Sequence, residues 1–357
     1  MQNFTSTSKK LLMLAIMLFV SISCSSSDSD SNNNDVGTPS NLNVTAEIVG
    51  KSAENPNGDG TGIVKFTINA TNATSFKIAL GDGVTKELGS GVFSYTYNAS
   101  GTNNYTVIIS AYNGVKFVSK SFTIVLYVAP KSIWSDEFNG SGAPDSSKWG
   151  YDLGAGGWGN NESQNYTNRA DNVKVENGVL KIIAKKESYQ GSNYTSARLL
   201  SKGKFSVKYG KIEFRAKLPV GGGTWPALWM LGDNIGTVSW PACGEIDIME
   251  HVGNQLNKIH GTLHYTGRSG GNADSSSITI SNTTTEFHIY SIDWRAENIK
   301  FYVDNQLFKT FVNSANVPFN QNFFLIMNCA MEGNFGGAID PNFVASTFEV
   351  DYVRVYN

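Results

Sequence analysis

Three carboxylic acids in one short stretch are the first residues whose types and spacing suit chemistry. Glu245, Asp247 and Glu250 stand among apolar residues in the run Trp240-Pro-Ala-Cys-Gly-Glu-Ile-Asp-Ile-Met-Glu-His-Val-Gly253. The alternation over residues 245–248 is the period of a β-strand with one buried face. Two carboxyls beside one sugar–sugar bond can serve as nucleophile and general acid, so the spacing indicates glycosidic chemistry.

The third acid falls one residue late for a regular strand. A β-bulge, which adds one residue to one strand, would return Glu250 to the face of Glu245 and Asp247. The outer Cα atoms would then lie roughly 13 Å apart, and inward-leaning carboxyls would approach the ~5–5.5 Å of retaining glycosidases. Such crowding should raise at least one pKa, and a depressed pKa beside a raised one suits the two roles. The alternative is a solvated strand face that happens to be acidic.

The stretch resembles the active-site strand of family 16 glycoside hydrolases, in their laminarinase-like (endo-1,3-β-glucanase) branch, whose pattern is Glu-x-Asp-x-x-Glu on a bulged strand. The resemblance implies that Glu245 is the nucleophile, Glu250 the acid/base and Asp247 the residue that modulates the pair. It extends over residues 131–357 and implies an all-β fold, a curved β-jelly-roll sandwich with a substrate cleft on its concave face. We therefore predict a retaining hydrolase of laminarin-like β-1,3-glucan, with mixed-linkage β-glucan as a second substrate.

Residues suited to sugar binding surround the acids. The Gly-rich segment 156–166 combines one indole with several amides, and no Lys-Ser/Thr follows that would suggest a phosphate loop. It resembles the laminarinase loop along the non-reducing-end subsites. The residues predicted to bind substrate are Trp158, Asn160, Asn161, Glu162, Arg198, Trp225, Trp229, Trp240 and His264. For each tryptophan, a place in the core is the alternative.

The metal prediction is a structural Ca²⁺ and no catalytic cofactor. The family resemblance implies Ca²⁺ ligands from Glu137, the carbonyl of Gly178 and Asp351, and oxygen ligands from distant segments suit this ion. Simple packing and turn chemistry is the alternative. The four histidines show no paired spacing typical of catalytic zinc, and no Gly-x-Ser-x-Gly elbow supports a serine hydrolase.

Composition points to a secreted, turn-rich β protein. The chain has 357 residues, 36 of them Gly and 20 Phe, only 16% charged residues and a formal net charge of −2. This charge gives no electrostatic case for binding nucleic acid. We expect a monomer whose partner is a polysaccharide. Cys243 and Cys329 flank the expected cleft, and their spacing leaves open whether they pair.

The first residues resemble a bacterial lipoprotein signal. Lys9 and Lys10 precede an apolar run over 11–22, and small residues lead to Cys24. We predict a signal peptide at 1–23, a lipid anchor at Cys24 and a flexible Ser/Asn/Asp-rich linker at 24–40. The expected location is the cell envelope, at the outer membrane or cell surface, with plain secretion as the alternative.

Short alternating runs separated by turn signals fill residues 41–128, which predicts a small antiparallel sandwich of immunoglobulin size. Segments such as Phe76-Lys-Ile-Ala-Leu-Gly-Asp-Gly83 resemble the PKD (polycystic-kidney-disease-like) domain, although the usual Trp before this strand is missing. We interpret the domain as a spacer, with weak glycan binding as the alternative.

Two rival functions stay open at this stage. The same fold hydrolyses other polysaccharides such as agar or carrageenan, and the bulged strand does not discriminate among them. A non-catalytic glycan-binding surface lipoprotein is the rival from another class. The centre of the later segment Phe323–Gly337 carries Cys329, Met331 and Glu332 where the family has small residues. This departure concerns the leaving-group side of the site.

Overall fold

The computed structural model describes residues 37–357. The predicted signal peptide, Cys24 and most of the predicted linker lie outside the described residues. The chain forms two compact units. The first consists of the described residues up to Asn57, together with Ile63–Tyr97 and Asn104–Leu126. The second consists of Gly58–Gly62, Asn98–Asn103 and Tyr127–Asn357. The predicted limits 41–128 and 131–357 stay predictions.

The first unit is built from two antiparallel sheets. Its seven strands are β1 (Ser40–Ile48), β2 (Ile63–Thr71), β3 (Ser75–Ala79), β4 (Thr85–Leu88), β5 (Val92–Thr96), β6 (Gly101–Asn113) and β7 (Lys116–Val128). One sheet has the order β1-β2-β5 and the other β4-β3-β6-β7. Alternate residues of β2 and β6, such as Phe66 and Val107, are fully buried. Strand β4 was not predicted, because its sequence Thr-Lys-Glu-Leu has no apolar alternation.

The second unit consists of seventeen further strands among the described residues. They are β8 (Ser132–Asp136), β9 (Gly150–Asp152), β10 (Gln164–Tyr166), β11 (Val173–Glu176), β12 (Val179–Tyr189), β13 (Ser192–Ser196), β14 (Arg198–Leu200), β15 (Gly210–Lys217), β16 (Thr224–Gly232), β17 (Glu245–Glu250), β18 (Lys258–His264), β19 (Asp274–Thr279), β20 (His288–Trp294), β21 (Asn298–Val303), β22 (Gln306–Val312), β23 (Phe323–Met331) and β24 (Ala345–Tyr356). Its helical segments are short: the α-helix α1 (Gly333–Gly336) and 3₁₀ turns at Gly157–Gly159, Asp233–Gly236 and Gly270–Asn272. The all-β prediction is therefore confirmed.

Two large sheets pack face to face in this unit. The ten-stranded sheet follows the order β10-β13-β12-β24-β15-β20-β21-β22, with β11 paired to β12 and β8 paired to β24. The seven-stranded sheet has the order β19-β18-β17-β16-β23-β14-β9. Inward side chains of both sheets, among them Phe214, Ile246 and Met327, form one buried hydrophobic cluster. The sheet order places β17 inside the smaller sheet, with a partner on each side.

Local signals explain several connections. Strands β21 and β22 are joined by Asp304 and Asn305, both with positive φ (48° and 66°), which is the geometry of a two-residue hairpin turn. None of the helices within residues 37–357 has the length and apolarity needed to cross a membrane.

Candidate active site

Strand β17 contains the bulge that its sequence predicts. On the β18 side Asp247 pairs with Thr262 and Glu250 with His260, so three steps on β17 match two on β18. On the β16 side the register also shifts by one residue between Met249 and Asp247. The extra residue lies between Asp247 and Glu250, and Ile248 and Met249 are both buried in the core. The bulge therefore lets the later acid return to the outer face, which is turned away from the larger sheet.

The register of the seven-stranded sheet arranges outer-face residues in rows across the strands. The first row runs through paired residues of five strands: Arg198, Asn328, Ala227, Glu250 and His260. The second row consists of Ile326, Trp229, Asp247, Thr262 and Ser275. The third pairs Glu245 with His264. Acids, amides and aromatic rings thus occupy the middle of one face.

Two hydrogen bonds hold the carboxyl of Glu250. The indole Nε1 of Trp225 donates to Oε1 over 3.1 Å, and the hydroxyl of Thr262 donates to Oε2 over 3.0 Å. The same hydroxyl lies 3.0 Å from Oγ of Ser275 on the next strand. Glu250 is 9% exposed, so its carboxyl is held by these partners where little water reaches it.

Glu245 and Asp247 share a histidine. Nε2 of His264 lies 3.2 Å from Oδ2 of Asp247 and 3.7 Å from Oε1 of Glu245. Nδ1 of this imidazole accepts the backbone N–H of Gly270 over 3.2 Å, which places the proton of the neutral ring on Nε2, facing the acids. Oε2 of Glu245 accepts the indole N–H of Trp240 over 3.0 Å.

Burial raises the pKa of all three acids. The pKa of Glu245 rises to about 8, first through burial and then through the charge of Asp247, while His264 acts in the opposite direction. Burial and the neighbouring Glu250 raise the pKa of Asp247 far above its ordinary range. The pKa of Glu250 is raised by burial and held down in part by His264, Thr262 and Trp225. These directions agree with the expectation that crowding raises at least one pKa, and the pKa of none of the three acids is lowered.

Arg198 lies between two predicted sugar-binding indoles. Its guanidinium carbon is 5.1 Å from the ring centroid of Trp158 and 4.8 Å from that of Trp229. Its Nε lies 3.1 Å from Oδ2 of Asp152 on β9. Trp229 donates its indole N–H to Oδ1 of Asn328 over 2.7 Å and packs on a small apolar cluster of the same face. This group forms one continuous wall beside the acids.

Glu162 organises the predicted sugar-binding loop. Its carboxylate accepts hydrogen bonds from Gln164 (2.6 Å), Tyr166 (3.2 Å) and Asn160 (3.3 Å). Burial raises the pKa of Glu162, and these donors and Arg198 act against that rise. The carboxylate thus serves first as an acceptor for its own loop. Asn161, also predicted to bind substrate, is exposed and donates to the side chain of Asn334 over 2.8 Å.

The loop after β23 meets the sugar-binding loop. Glu332 accepts a hydrogen bond from the hydroxyl of Ser163, and the backbone N–H of Asn334 donates to the carbonyl of Asn160 over 2.8 Å. Phe335 presents its ring edge-on to Trp225, with ring centroids 5.5 Å apart, and is 38% exposed. The departure from the family pattern at Glu332 therefore creates a contact between two loops that border the acids.

The predicted calcium ligands come from neighbouring segments, but both carboxylates among them pair with arginines. Strand β24, which contains Asp351, pairs with both β8 and β12, next to Glu137 and Gly178. However, Glu137 forms a two-bond pair with Arg354 at 2.8 and 2.9 Å, and Asp351 pairs with Arg215. These carboxylates are already neutralised, so in this arrangement the side chains do not fit Ca²⁺, and the calcium site stays a prediction.

Several residues beside the acids were not identified from the sequence. Thr262 stands two residues before His264, so strand alternation alone would have placed it on the same face. Asn328, Asp152 and Phe335 gave no such signal, because their neighbours come from strands far away in the chain. Cys243 and Cys329 are buried and free, which answers the open question of their pairing.

The second unit is a two-sheet β-sandwich with two glutamates on one bulged strand, surrounded by indoles and amides. These are the features of a carboxylate-dependent glycoside hydrolase. Residues 160–354 match the model of glycosyl hydrolases family 16. The chain belongs to this family, and the predicted jelly-roll architecture is confirmed.

Three relatives show how far the similarity extends. A β-glucanase of Rhodothermus marinus is 47% identical over 240 residues, covering 63% of this chain and 84% of that protein. Glucan endo-1,3-β-glucosidase A1 of Niallia circulans is 41% identical over 258 residues, covering 63% of this chain but 37% of that longer protein. The crystal structure of the Rhodothermus marinus laminarinase has 46% identity and a TM-score of 0.61, covering 64% of this chain and 97% of that one.

Proposed function

We propose that this glycoside hydrolase is a retaining endo-1,3-β-glucanase that acts on laminarin-like glucan, with mixed-linkage β-glucan as a second substrate. The observation that supports this most is the bulge in β17, because it returns Glu250 to the face of Glu245. The similarity to a β-glucanase and to an endo-1,3-β-glucosidase supports the choice of substrate.

In the proposed reaction, Glu245 attacks the anomeric carbon while Glu250 protonates the leaving glycosidic oxygen. Glu250, now ionised, removes a proton from water, which then attacks the glycosyl-enzyme and restores Glu245. The raised pKa of Glu250 suits a group that must hold its proton at the first step. The N–H groups of Trp240 and His264 face Glu245 and favour its ionised form.

The acid between them has a positioning role in this proposal. Asp247 is 4% exposed and lies beside His264, whose Nε2–H also faces Glu245. A charge at Asp247 opposes ionisation of Glu245, and a proton there removes that opposition. Asp247 therefore regulates how easily the nucleophile loses its proton.

We assign the sugar contacts to side chains around the acids. Trp158, Arg198 and Trp229 form the first wall, Trp225 contacts Glu250, and Trp240 contacts Glu245 at the other end of β17. Trp240 is 45% exposed and offers the most accessible ring for stacking on a sugar. Asn160, Asn161 and Glu162 would contact hydroxyls at the end of the first wall.

The first experiment is the substitution Glu245→Gln. We expect loss of laminarin hydrolysis with glucan affinity kept, because the amide has nearly the same shape and cannot attack. Reducing-sugar release and binding by calorimetry measure the two properties. Turnover at the wild-type rate would contradict the nucleophile role, and binding without hydrolysis by the unaltered protein would indicate a glycan-binding lipoprotein instead.

Azide separates the two glutamates by the stereochemistry of the product. With an activated aryl β-1,3-gluco-oligosaccharide, Glu250→Ala should form a glycosyl-enzyme that azide opens to a β-glycosyl azide. Glu245→Ala should let azide attack the substrate directly from the opposite side, which gives the α-azide. If Glu250→Ala gave the α-azide and Glu245→Ala the β-azide, Glu250 would be the nucleophile and Glu245 the acid/base.

A substrate panel tests the rival polysaccharides. Laminarin, lichenan, agarose and carrageenan are incubated with the protein, and the products are separated by chromatography. We expect oligosaccharides from laminarin first and from lichenan second. Products from agarose or carrageenan alone would overturn the glucan assignment while keeping the hydrolase class.

We also propose that Cys24 is lipidated and tethers the protein to the cell envelope, at the outer membrane or the cell surface, as a monomer. The support is the sequence of residues 9–24. Radiolabelled palmitate should enter the wild-type protein and not Cys24→Ser, and the variant should move to the soluble fraction. Equal fractionation of both would favour plain secretion.

For the first unit we propose a PKD-like spacer. The two-sheet arrangement of β1–β7 is compatible with this assignment. Removing residues 41–126 takes away this unit together with the short segments Gly58–Gly62 and Asn98–Asn103, and should leave kcat and KM on short oligosaccharides unchanged, because no residue proposed to bind sugar lies there. A weaker retention on insoluble glucan after the deletion would support the alternative, glycan binding by this unit.

A further inference from the structure

We propose that Glu245, Asp247 and His264 form a binding site for a single Zn²⁺ ion, which occupies the active centre in competition with sugar. The inhibitory consequence rests on the proposed function of the same residues, whereas the binding itself does not. One oxygen or nitrogen from each of the three side chains lies within 4.8 Å of the other two. Imidazole and carboxylate are ligands that Zn²⁺ uses in proteins.

The distances are close to those of a metal-ligand set. In tetrahedral Zn²⁺ sites the ligand atoms are about 2.0–2.2 Å from the ion, so neighbouring ligand atoms lie roughly 3.3–3.5 Å apart. Nε2 of His264 is 3.2 Å from Oδ2 of Asp247 and 3.7 Å from Oε1 of Glu245. Two of the three separations are therefore within a few tenths of an ångström of the required value.

An unsatisfied oxygen points into this site. Oδ2 of Asp247 is buried and forms no aligned hydrogen bond among the described residues, because Nε2 of His264 lies 3.2 Å away without the angle that a hydrogen bond needs. The side chain is 5% exposed, so little water reaches it. A cation is the ligand that an unpartnered carboxylate oxygen favours most. The burial and missing alignment of this oxygen add to the distances among the three residues.

The remaining contacts leave the correct atoms available. Trp240 holds Oε2 of Glu245, so Oε1 faces His264 and is free to bind the ion. The ion takes the lone pair of Nε2, and the ring proton moves to Nδ1, which ends the 3.2 Å contact with the N–H of Gly270. Any carboxyl protons pass to solvent. The three side chains fill three of the four positions of a tetrahedral Zn²⁺ ion, and a water molecule takes the fourth.

The donor set selects among metals. Ca²⁺ takes six to eight oxygen ligands and Mg²⁺ prefers octahedral oxygen sites. One imidazole and two carboxylates suit Zn²⁺, and Cu²⁺ should bind the same atoms more tightly by the general order of metal affinities. Because the ion would occupy Glu245, the residue proposed to attack the sugar, it would exclude productive binding of glucan.

The test measures metal binding directly. ZnCl₂ is titrated into the soluble protein by calorimetry in a non-chelating buffer, and the melting temperature is followed in parallel. We expect one Zn²⁺ ion per chain and a rise in melting temperature, and the affinity for Zn²⁺ should be unchanged when MgCl₂ or CaCl₂ is present at the same concentration. The affinity for Zn²⁺ should fall at least about tenfold in His264→Gln and in Asp247→Asn. Mutation of a residue that merely supports a metal ligand already lowers metal affinity by about tenfold or more, and these variants remove the ligand itself.

A matched control comes from another histidine–aspartate pair of the same unit. His288 lies beside Asp304, far from the acids in sequence, and His288→Gln should bind Zn²⁺ as the wild type does. Equal binding by wild type and His264→Gln would place the ion elsewhere and overturn the proposal. If one variant does not fold, the other carries the comparison.

Competition with sugar distinguishes this inference from the proposed function. A soluble β-1,3-gluco-oligosaccharide should weaken Zn²⁺ binding, and rising laminarin concentration should reverse inhibition by ZnCl₂. Laminarin hydrolysis without Zn²⁺ binding would overturn the metal site and leave the glucanase intact. Zn²⁺ binding by a protein that hydrolyses no glucan would support the metal site and reject the proposed function.

Discussion

Trp225 donates its indole N–H to Oε1 of Glu250 over 3.1 Å, and so links the cleft wall to the proposed acid/base. Trp225→Phe keeps an aromatic ring and removes this donor. A hydrogen bond to a group that becomes charged contributes about 1.5–3 kcal/mol. We therefore expect kcat on laminarin to fall at least about tenfold, since each 1.36 kcal/mol is a factor of ten in rate.

The matched control for this prediction is Trp240→Phe. It removes the corresponding donor to Glu245, but Trp240 is 45% exposed and water can replace its N–H. The loss of kcat should be smaller than for Trp225→Phe. An unchanged kcat in Trp225→Phe would show that the indole does not position Glu250.

Glu332 adopts a backbone conformation that favours glycine, with φ +66° and ψ −136°. Such a conformation costs a residue with a side chain about 1–3 kcal/mol. Its side chain accepts the hydroxyl of Ser163, which ties the sugar-binding loop to the end of β23. Glu332→Gly should therefore keep or raise the melting temperature, yet raise KM for laminarin about fivefold through the loss of ~1 kcal/mol of hydrogen bonding.

The comparison variant is Ser163→Ala. It removes the same hydrogen bond without relieving the backbone, so KM should rise and the melting temperature should fall. A wild-type KM in both variants would limit Glu332 to a structural role.

His251 is fully buried, and neither ring nitrogen has a partner among the described residues. Burial lowers its pKa from 6.5 to about 4. Between these values the unfolded chain binds a proton that the folded chain does not, so the free energy of unfolding decreases as the pH falls. Over 2.5 pH units the loss amounts to about 3 kcal/mol.

Denaturant unfolding between pH 7 and pH 4 measures this effect. All seven tryptophans belong to the second unit, so their fluorescence reports on that unit. The variant His251→Phe should show a shallower fall of stability with decreasing pH than the wild type. Parallel curves for the two proteins would contradict the assignment to His251.

Calcium removal tests the family-based metal prediction. If Glu137, Gly178 and Asp351 bind Ca²⁺, a chelator should lower the melting temperature and added CaCl₂ should restore it. Arg354 and Arg215 compete with Ca²⁺ for these two carboxylates, so the change in melting temperature should be small. An identical melting temperature with chelator and with CaCl₂ would contradict the prediction.

The bulge in the central strand β17 was predictable because it follows from the order of residues within the strand itself. Acidic and apolar residues alternate until Asp247, and the late position of Glu250 makes sense only with one extra residue. His264 was also expected near the acids, and its strand β18 does pair with β17. These are short-range patterns, in which the period of two assigns each side chain to a face.

The partners of the acids were harder to predict, because sheet order is not local. Asn328 lies beside Trp229 although about a hundred residues separate them, since β23 inserts between β16 and β14. The rise in pKa was predicted, but from mutual repulsion alone. Burial is the largest influence on all three acids and raises the pKa of each one.

Strand β24 lies inside the ten-stranded sheet, between β12 and β15, and also pairs with β8. Every other strand of that sheet precedes it in the chain. During folding the two parts of the sheet therefore keep unpaired edges until residues 345–356 have paired with β12 and β15. The larger sheet is complete only when this last strand is in place, and unpaired edges favour aggregation until then.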